Sequence, residues 1–186
     1  YMKLSDYVME KIADTGIKHV FMLPGGGAMH LNDSLGKSKR LVHVCNIHEQ
    51  ASAIAADAYS QYTNNIGVCL VTTGPGSLNT LTGVASAWMD SIPMLVVCGQ
   101  VKRKDLSRGK GVRQLGFQEI DIEPIVKPFT KYAVTVYEPS EIRYHIEKAI
   151  WMAKNSRQGP SWLAIPLDVQ ATDIDPEKLK SFQPEK

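Results

Sequence analysis

The sequence is poor in cysteine and in net charge. It has 3 cysteines among 186 residues and a formal net charge of +2. An odd number of cysteines without a Cys-x-x-Cys pair argues against a disulfide framework and against a zinc site. We therefore expect Cys45, Cys69 and Cys98, which lie within or beside apolar runs, to be reduced residues of the core. The small net charge gives no reason to expect nucleic acid or a membrane surface as a partner.

Long apolar runs are also missing. None approaches the roughly 20 residues of a transmembrane helix, and no charged-then-apolar leader opens the sequence. We therefore expect a cytoplasmic protein with no membrane partner. Hydrophobic residues make up 44% and charged residues 22% of the sequence, which is ordinary globular composition. A chain of this length suits one domain with a substantial core.

Short apolar runs alternate with helical patterns along the sequence. Near-continuous apolar runs indicate strands that are buried on both faces of a sheet. The patterns predict strands at residues 19–23, 41–45, 66–71, 93–98, 131–136 and 162–165, and helices at 4–12, 28–35, 49–62, 78–88 and 142–153. This order predicts an α/β fold with three layers, α/β/α, and a mainly parallel, roughly six-stranded sheet. Residues 101–115 read as irregular, and residues 173–186 as a polar tail or linker.

Two glycine-rich turns follow predicted strands. Gly74-Pro75-Gly76 precedes a helix, so its backbone N–H groups are placed to face a ligand. It is not a dinucleotide fingerprint, because Asn79 stands in place of the third glycine, and it is not a P-loop. Pro24-Gly25-Gly26-Gly27 follows the first long strand in the same way. Each turn is read either as a ligand site or as a tight connection between strand and helix.

Glu49 follows what reads as a buried strand and opens a helix rich in alanine. In parallel sheets, ligands bind at the carboxyl ends of the strands. We interpret Glu49 as a carboxylate that acts on a cofactor. The alternative is a carboxylate that only favours the start of a helix. Adjacent His48 is a candidate acid or base, or a residue held by local hydrogen bonds.

A basic cluster occupies the long irregular stretch. We predict that it forms a solvated loop, with binding of an anionic substrate or partner as the alternative. Its members are Lys102, Arg103, Lys104, Arg108 and Lys110.

Five segments, taken in order, resemble the pyrimidine-binding domain of thiamine diphosphate enzymes, in the acetolactate synthase-like branch. The resemblance covers residues 3 to 169. It implies a flavodoxin-like pyrimidine-binding domain at 1–170, and a linker or tail at 171–186 toward a missing middle domain. The segments are His48-Glu49-Gln50-Ala51, Thr73-Gly74-Pro75-Gly76 with Asn79, Ala87-Trp88-Met89-Asp90-Ser91-Ile92-Pro93, Gly99-Gln100 and Phe117-Gln118-Glu119.

The resemblance implies specific roles for single residues. Glu49 would hydrogen-bond N1′ of the cofactor's pyrimidine and favour the imino tautomer, which takes the C2 proton so that the ylid can attack a 2-oxo acid such as pyruvate. Gln118 joins Glu49 as a catalytic residue. The cofactor would contact Glu49, Pro75, Gly76, Asn79 and Gly26; the substrate would contact Gly26, Gly27, Phe117 and Gln118; Arg157 would contact FAD.

The sequence also departs from the resembling family. Asn46-Ile47 stands where Val-Arg is common, and Ser156-Arg157-Gln158-Gly159-Pro160 replaces Gly-Arg-Pro-Gly-Pro, which leaves FAD open. No Gly-Asp-Gly segment occurs, so no metal ligand is assigned here. Mg²⁺ and the diphosphate would be held by another domain of the same or another chain. In this family the site forms between subunits, so we expect a homo-oligomer with an exposed apolar face near Glu49 and Asn79.

The first hypothesis is therefore the pyrimidine-binding domain of a thiamine diphosphate-dependent 2-oxo acid carboligase or decarboxylase, incomplete by itself. One alternative is the small subunit of a two-chain 2-oxo acid decarboxylase of the sulfopyruvate type. The other is a non-catalytic flavodoxin-like binding domain in which Glu49 merely caps a helix.

Overall fold

A six-stranded parallel sheet forms the centre of the molecule. A computed structural model describes residues 1–184. The strands within this range are β1 (Met2–Lys3), β2 (His19–Met22), β3 (Val42–Cys45), β4 (Gly67–Val71), β5 (Met94–Gln100), β6 (Tyr132–Thr135), β7 (Pro160–Pro166) and β8 (Asp173–Ile174). The central sheet has the order β3-β2-β4-β5-β7-β6, and all of its pairs are parallel.

Helices cover both faces of this sheet. They are α1 (Leu4–Ala13), α2 (Met29–Lys37), α3 (Glu49–Thr63), α4 (Pro75–Leu78), α5 (Leu81–Met89), α6 (Ile122–Val126), α7 (Ile142–Lys154) and α8 (Leu167–Gln170). Helices α1, α2 and α7 enclose one apolar core, and α3, α5 and α6 enclose the other. Successive strand residues serve opposite cores, as Leu70 and Val71 do. The predicted three-layer α/β/α fold is confirmed.

Strand position in the sheet decides which apolar runs are buried. Every residue of β4, β5 and β7 is buried, as predicted. The prediction that Glu49 follows a buried strand is wrong, because β3 lies at the sheet edge and exposes Val42 and Cys45. An apolar run of this length does not distinguish an edge strand from a central one. Cys69 and Cys98 are buried, whereas the prediction of a core cysteine is wrong for Cys45.

The carboxyl-terminal stretch that reads as a polar tail packs onto the domain. β8 pairs antiparallel with β1, Leu179 is buried, and the rings of Phe182 and Trp151 lie 5.7 Å apart. The prediction of a polar tail is therefore wrong for these residues. Apolar side chains lie scattered among the charged ones, and Phe182 packs against α7. A linker role toward another domain stays a prediction. Residues 185 and 186 lie outside the described residues.

The helix predicted over residues 78–88 is divided into α4 and α5, with Asn79 and Thr80 between them. None of the helices in residues 1–184 is both long enough and apolar enough to cross a membrane.

Candidate functional site

Glu49 is the first residue of α3, and its side chain turns inward. The residue is only 8% exposed, although the strand before it lies at the sheet edge. His48 is the helix cap, because its Nδ1 accepts a hydrogen bond from the backbone N–H of Gln50 at 3.1 Å. The Glu49 carboxylate instead accepts a hydrogen bond through Oε2 from Nδ2 of Asn79 at 2.9 Å. This contact weighs against the reading of Glu49 as a mere helix cap.

The turn before α4 lies directly against this carboxylate. A Cβ atom on Gly76 would stand 3.0 Å from Oε1 of Glu49 and 2.7 Å from Cγ2 of Thr72. Pro75 is the first residue of α4, so its missing N–H costs no helical hydrogen bond. Within residues 1–184, Oε1 of Glu49 has no hydrogen-bond partner. One carboxylate oxygen is thus fixed by Asn79, and the other is open beside a glycine.

The glycine loop after β2 is braced from two sides. The N–H of Gly27 donates to Oγ1 of Thr72 at 3.0 Å, and its carbonyl accepts from Nε2 of Gln170 at 2.8 Å. Thr72 also lies against the Gly76 turn, so it stands between the glycine loop and that turn. A side chain at Gly99 of β5 would collide with the Gly27 carbonyl. The loop therefore lies on the sheet at a distance that only glycine permits.

A cavity of about 420 Å³ opens at the glycine loop. Its lining includes Gly26, Gly27, Phe117 and Gln118, the four residues for which the sequence predicts substrate contact. The structure therefore brings these four together, with Thr72 of the turn after β4 in the same wall. The Phe117 side chain is 83% exposed and stands at the open side of the domain.

Two buried polar side chains hold the long loop that carries Phe117 and Gln118. Glu119 is 3% exposed and accepts hydrogen bonds from the N–H and the hydroxyl of Ser107, at 3.1 and 2.8 Å. Gln100 is 2% exposed and donates to the carbonyl of Ile120 at 2.9 Å. A Cβ at Gly74 would collide with the carbonyl of Gln118. The loop is thus fixed against the turn that carries Gly76.

Two of the five residues of the basic cluster are not open to an anion. Arg103 donates to the Asp168 carboxylate from its backbone N–H and from Nε, at 2.9 and 2.8 Å. Burial works against ionisation of Asp168, yet these hydrogen bonds keep its pKa below the usual value. Arg108 makes a two-pronged contact with Asp121 at 2.6 and 2.7 Å. Both side chains remain more than a third exposed, as a solvated loop requires, but each is paired with an aspartate of the domain. Lys102 lines the 420 Å³ cavity.

Arg157 lies elsewhere. Its Nε donates to the hydroxyl of Ser91 at 2.8 Å, and it lines a separate cavity of about 350 Å³ together with Trp88 and Lys131. This cavity shares no lining residue with the one at the glycine loop. The structure does not bring Arg157 to the Glu49 cluster, and a flavin contact at Arg157 stays a prediction.

An apolar face surrounds the amino end of α3. Ile47 is 98% exposed, and Ile54 is 47% exposed one turn and a half into the helix. Trp88 and Met89 are exposed as well, but they end α5 and line the separate cavity of Arg157. Ile47 and Ile54 are thus the exposed apolar side chains near Glu49, and the covering of this face in a homo-oligomer stays a prediction.

Sequence reasoning missed three residues that hold the site. Thr72, Gln100 and Gln170 each form hydrogen bonds to the glycine loop or to the long loop. Gln100 belongs to the Gly99-Gln100 segment that carries the resemblance, and Thr72 directly follows β4. The position of both residues at the end of a predicted strand could therefore have pointed to them. Gln170 offers no such signal, since it lies 143 residues from Gly27. Among residues 1–184 no group of three His, Cys, Asp or Glu side chains is placed to hold a metal ion.

A nearly buried carboxylate thus lies beside the Gly76 turn at the carboxyl ends of the parallel strands, where open α/β sheets bind ligands. Residues 2–125 match the family described as thiamine pyrophosphate enzyme, N-terminal TPP binding domain. The chain belongs to this family.

Acetolactate synthases are among the relatives of this chain. The chain is 37% identical over 169 residues to the acetolactate synthase large subunit of Buchnera aphidicola (strain APS), covering 91% of the chain and 28% of the relative. It is 36% identical over 165 residues to the large subunit of acetolactate synthase isozyme 3 of Escherichia coli, covering 89% and 28%. For the probable large subunit of Methanocaldococcus jannaschii the identity is 37% over 177 residues, covering 95% and 29%. The chain thus spans little more than a quarter of the length of these relatives.

Proposed function

We propose that this domain binds and activates thiamine diphosphate in a 2-oxo acid carboligase or decarboxylase similar to acetolactate synthase. The observation that carries the proposal is the carboxylate of Glu49, which is held by Asn79 through one oxygen and lies open beside Gly76 through the other. A carboxylate so placed fits a heterocyclic ring nitrogen. The absence of a side chain at Gly76 leaves the space for a flat ring.

The residues of this chain would bind and orient the cofactor, and they would move one proton. Thiamine diphosphate, when bound, supplies the electron sink for the loss of CO₂ from a 2-oxo acid. Oε1 of Glu49 would hold or share the proton at the pyrimidine ring nitrogen. Asn79 fixes the direction of the carboxylate, and the burial of Glu49 keeps water away from the shared proton. Pro75 and Gly76 would form the wall beside the ring.

The 420 Å³ cavity is the proposed place of the 2-oxo acid, such as pyruvate. Gly26 and Gly27 form one part of its lining, and Phe117 and Gln118 form another. The Gln118 amide can donate a hydrogen bond to a substrate oxygen, and Phe117 would shield the reacting carbons from water. In carboligation the donor loses CO₂, its remaining acyl carbons join the keto carbon of the acceptor, and the acceptor oxygen takes up a proton.

The site requires more chain than these residues supply. We propose that Mg²⁺ and the diphosphate are bound by a further domain of the same or another chain, reached through a linker that begins near residue 171. The exposed apolar face around Ile47 and Ile54 would be covered in a homo-oligomer. FAD and a cytoplasmic location remain predictions. The matches to large subunits, together with His48 rather than Glu49 as the helix cap, favour this proposal over both alternatives.

The test is Glu49→Gln in the complete enzyme. The amide keeps the size and the contact with Asn79 but does not hold a proton as a carboxylate does. We expect the exchange of the C2 proton of bound thiamine diphosphate, followed by NMR, to slow by about a hundredfold or more. Asp57→Asn is the matched control, since Asp57 is another buried acid of α3, 5% exposed, and pairs with Gln61. An undiminished exchange rate in Glu49→Gln would contradict the proposal.

A further inference from the structure

The cavity at the glycine loop carries charge as well as apolar surface. Lys102 and Asp105 both belong to its lining, together with Gly27 and Phe117. They follow β5 in a short 3-10 turn, in which the N–H of Asp105 donates to the carbonyl of Lys102 at 2.8 Å. The backbone therefore fixes both residues at the rim of the proposed substrate site.

Lys102 differs from the arginines of the same loop in having no carboxylate partner. Arg103 and Arg108 are each neutralised by an aspartate of the domain. Within residues 1–184 the Lys102 ammonium group forms neither an ion pair nor a hydrogen bond, and no other cation belongs to the lining of this cavity. Asp105 forms no ion pair within residues 1–184 either. The positive charge of Lys102 is thus available to a ligand.

We infer that Lys102 binds the carboxylate of the acceptor substrate and so selects 2-oxo acids over aldehydes as acceptors. The inference rests on the proposed function. The donor loses its carboxylate as CO₂, and a cation that held this group would stabilise the ground state and oppose the reaction. The acceptor keeps its carboxylate throughout, so an ion pair with Lys102 lowers the free energy of its bound state without that penalty.

The position of Lys102 suits an acceptor. Lys102 is an exposed residue of the cavity lining, whereas Glu49 is nearly buried and is not one of the lining residues. An acceptor enters after the donor has reacted and therefore approaches from the open side. Asp105, three residues later, adds a negative charge to the same lining. This charge weakens the attraction of Lys102 for the acceptor carboxylate, and it disfavours an acceptor that carries a second negative charge.

The experiment compares 2-oxobutyrate with propanal, which has the same chain without the carboxylate, as competing acceptors for pyruvate in the complete enzyme. The ratio of the two products reports the ratio of kcat/KM values. In Lys102→Gln we expect the ratio to fall about tenfold in favour of propanal, because a charge-assisted hydrogen bond is lost. Lys104→Gln removes the same charge two residues away, outside the cavity lining, and leaves the ratio unchanged. Asp105→Asn should raise the ratio, because it removes the negative charge from the lining.

A binding measurement separates this inference from the proposed function. Oxamate is an unreactive isostere of pyruvate, and oxamide is its neutral counterpart. By calorimetry on the complete protein, Lys102→Gln weakens oxamate binding about fivefold to tenfold and leaves oxamide unaffected. Equal product ratios and equal oxamate affinities in Lys102→Gln and Lys104→Gln overturn the inference, and so does a lack of oxamate binding to the unaltered protein. Failure of the proposed function is seen instead in the Glu49→Gln exchange rate, which involves no acceptor.

Discussion

Gln170 and Gly27 are joined by a hydrogen bond of 2.8 Å across 143 residues of sequence. The same Nε2 of Gln170 donates to the carbonyl of Ile165 at 2.7 Å, so both of its hydrogens are used. Gln170 is fully buried at the end of α8. One side chain therefore connects the glycine loop after β2 with the end of β7.

Replacing Gln170 by methionine, which keeps its length, should loosen the glycine loop. Two buried carbonyl groups lose their donor, which should lower the free energy of unfolding by about 1–3 kcal/mol. The KM for the 2-oxo acid should rise more than kcat falls, because Gly27 lines the substrate cavity. Chemical denaturation and steady-state kinetics of the complete enzyme measure the two effects.

The control for this change is Gln158→Met, which removes an exposed amide that donates at 3.4 Å to the carbonyl of Lys154, and it should alter stability by less than about 0.5 kcal/mol. Equal KM values for both variants would show that Gln170 does not position the loop.

Gly76→Ala should disturb cofactor activation without unfolding the domain. The new methyl group would stand 3.0 Å from Oε1 of Glu49, so the carboxylate has to move from the place proposed for the ring nitrogen. We expect weaker binding of thiamine diphosphate and slower exchange of its C2 proton, by about tenfold or more, measured by calorimetry and NMR.

Gly36→Ala provides the comparison for Gly76→Ala. Position 36 lies in α2 with no atom within 4 Å of the new Cβ, so alanine there should stabilise the protein by about 0.4–1 kcal/mol and leave exchange unchanged. Unimpaired cofactor binding in Gly76→Ala would mean that Oε1 of Glu49 does not face the ring.

The buried thiol of Cys98 should make the protein less stable in alkali. Burial raises the pKa of Cys98 from 9.0 to about 12. The pKa of this thiol is thus higher in the folded state than in the unfolded state. Its contribution to the free energy of unfolding is therefore complete below pH 9 and is lost as the pH rises toward 12. Between about pH 9.5 and 10.5, the free energy of unfolding should fall by about 1.4 kcal/mol per pH unit on account of this thiol.

Two cysteine variants isolate that contribution. Cys98→Ala should remove about 1.4 kcal/mol per pH unit from the slope in that range, whereas Cys45→Ala should leave it unchanged, because Cys45 is exposed. Denaturant titrations at several pH values supply the slopes. The same slope in Cys98→Ala and in the unaltered protein would refute the assignment.

The layers of the fold and the centre of the site could be predicted because their signals are local. Continuous apolar runs mark β4, β5 and β7, which are buried on both faces. Glycine-rich turns at strand ends, together with Glu49 at the start of a helix, point to the same edge of the sheet. A few residues of neighbouring sequence hold all of this information.

What could not be predicted depends on partners far apart in the chain. The exposure of β3 follows from its place at the sheet edge, which its own four residues do not encode. The pairing of Arg103 with Asp168 joins residues 65 positions apart, so the sequence around Arg103 does not show that its charge has a partner. Likewise, Ile174 is buried where β8 pairs with β1, more than 170 residues earlier in the chain.

The close packing of the glycine loop also bears on enzyme engineering. A Cβ at Gly25 would stand 2.5 Å from Cβ of Thr72, and one at Gly27 would stand 2.9 Å from Cγ2 of Thr73, so neither position has room for a side chain. Gly26 has no atom within 4 Å of such a Cβ and does not adopt a positive φ angle. A mutant library meant to reshape the pocket has its one open position in this triplet at residue 26, where small side chains can be added without rebuilding the scaffold beneath.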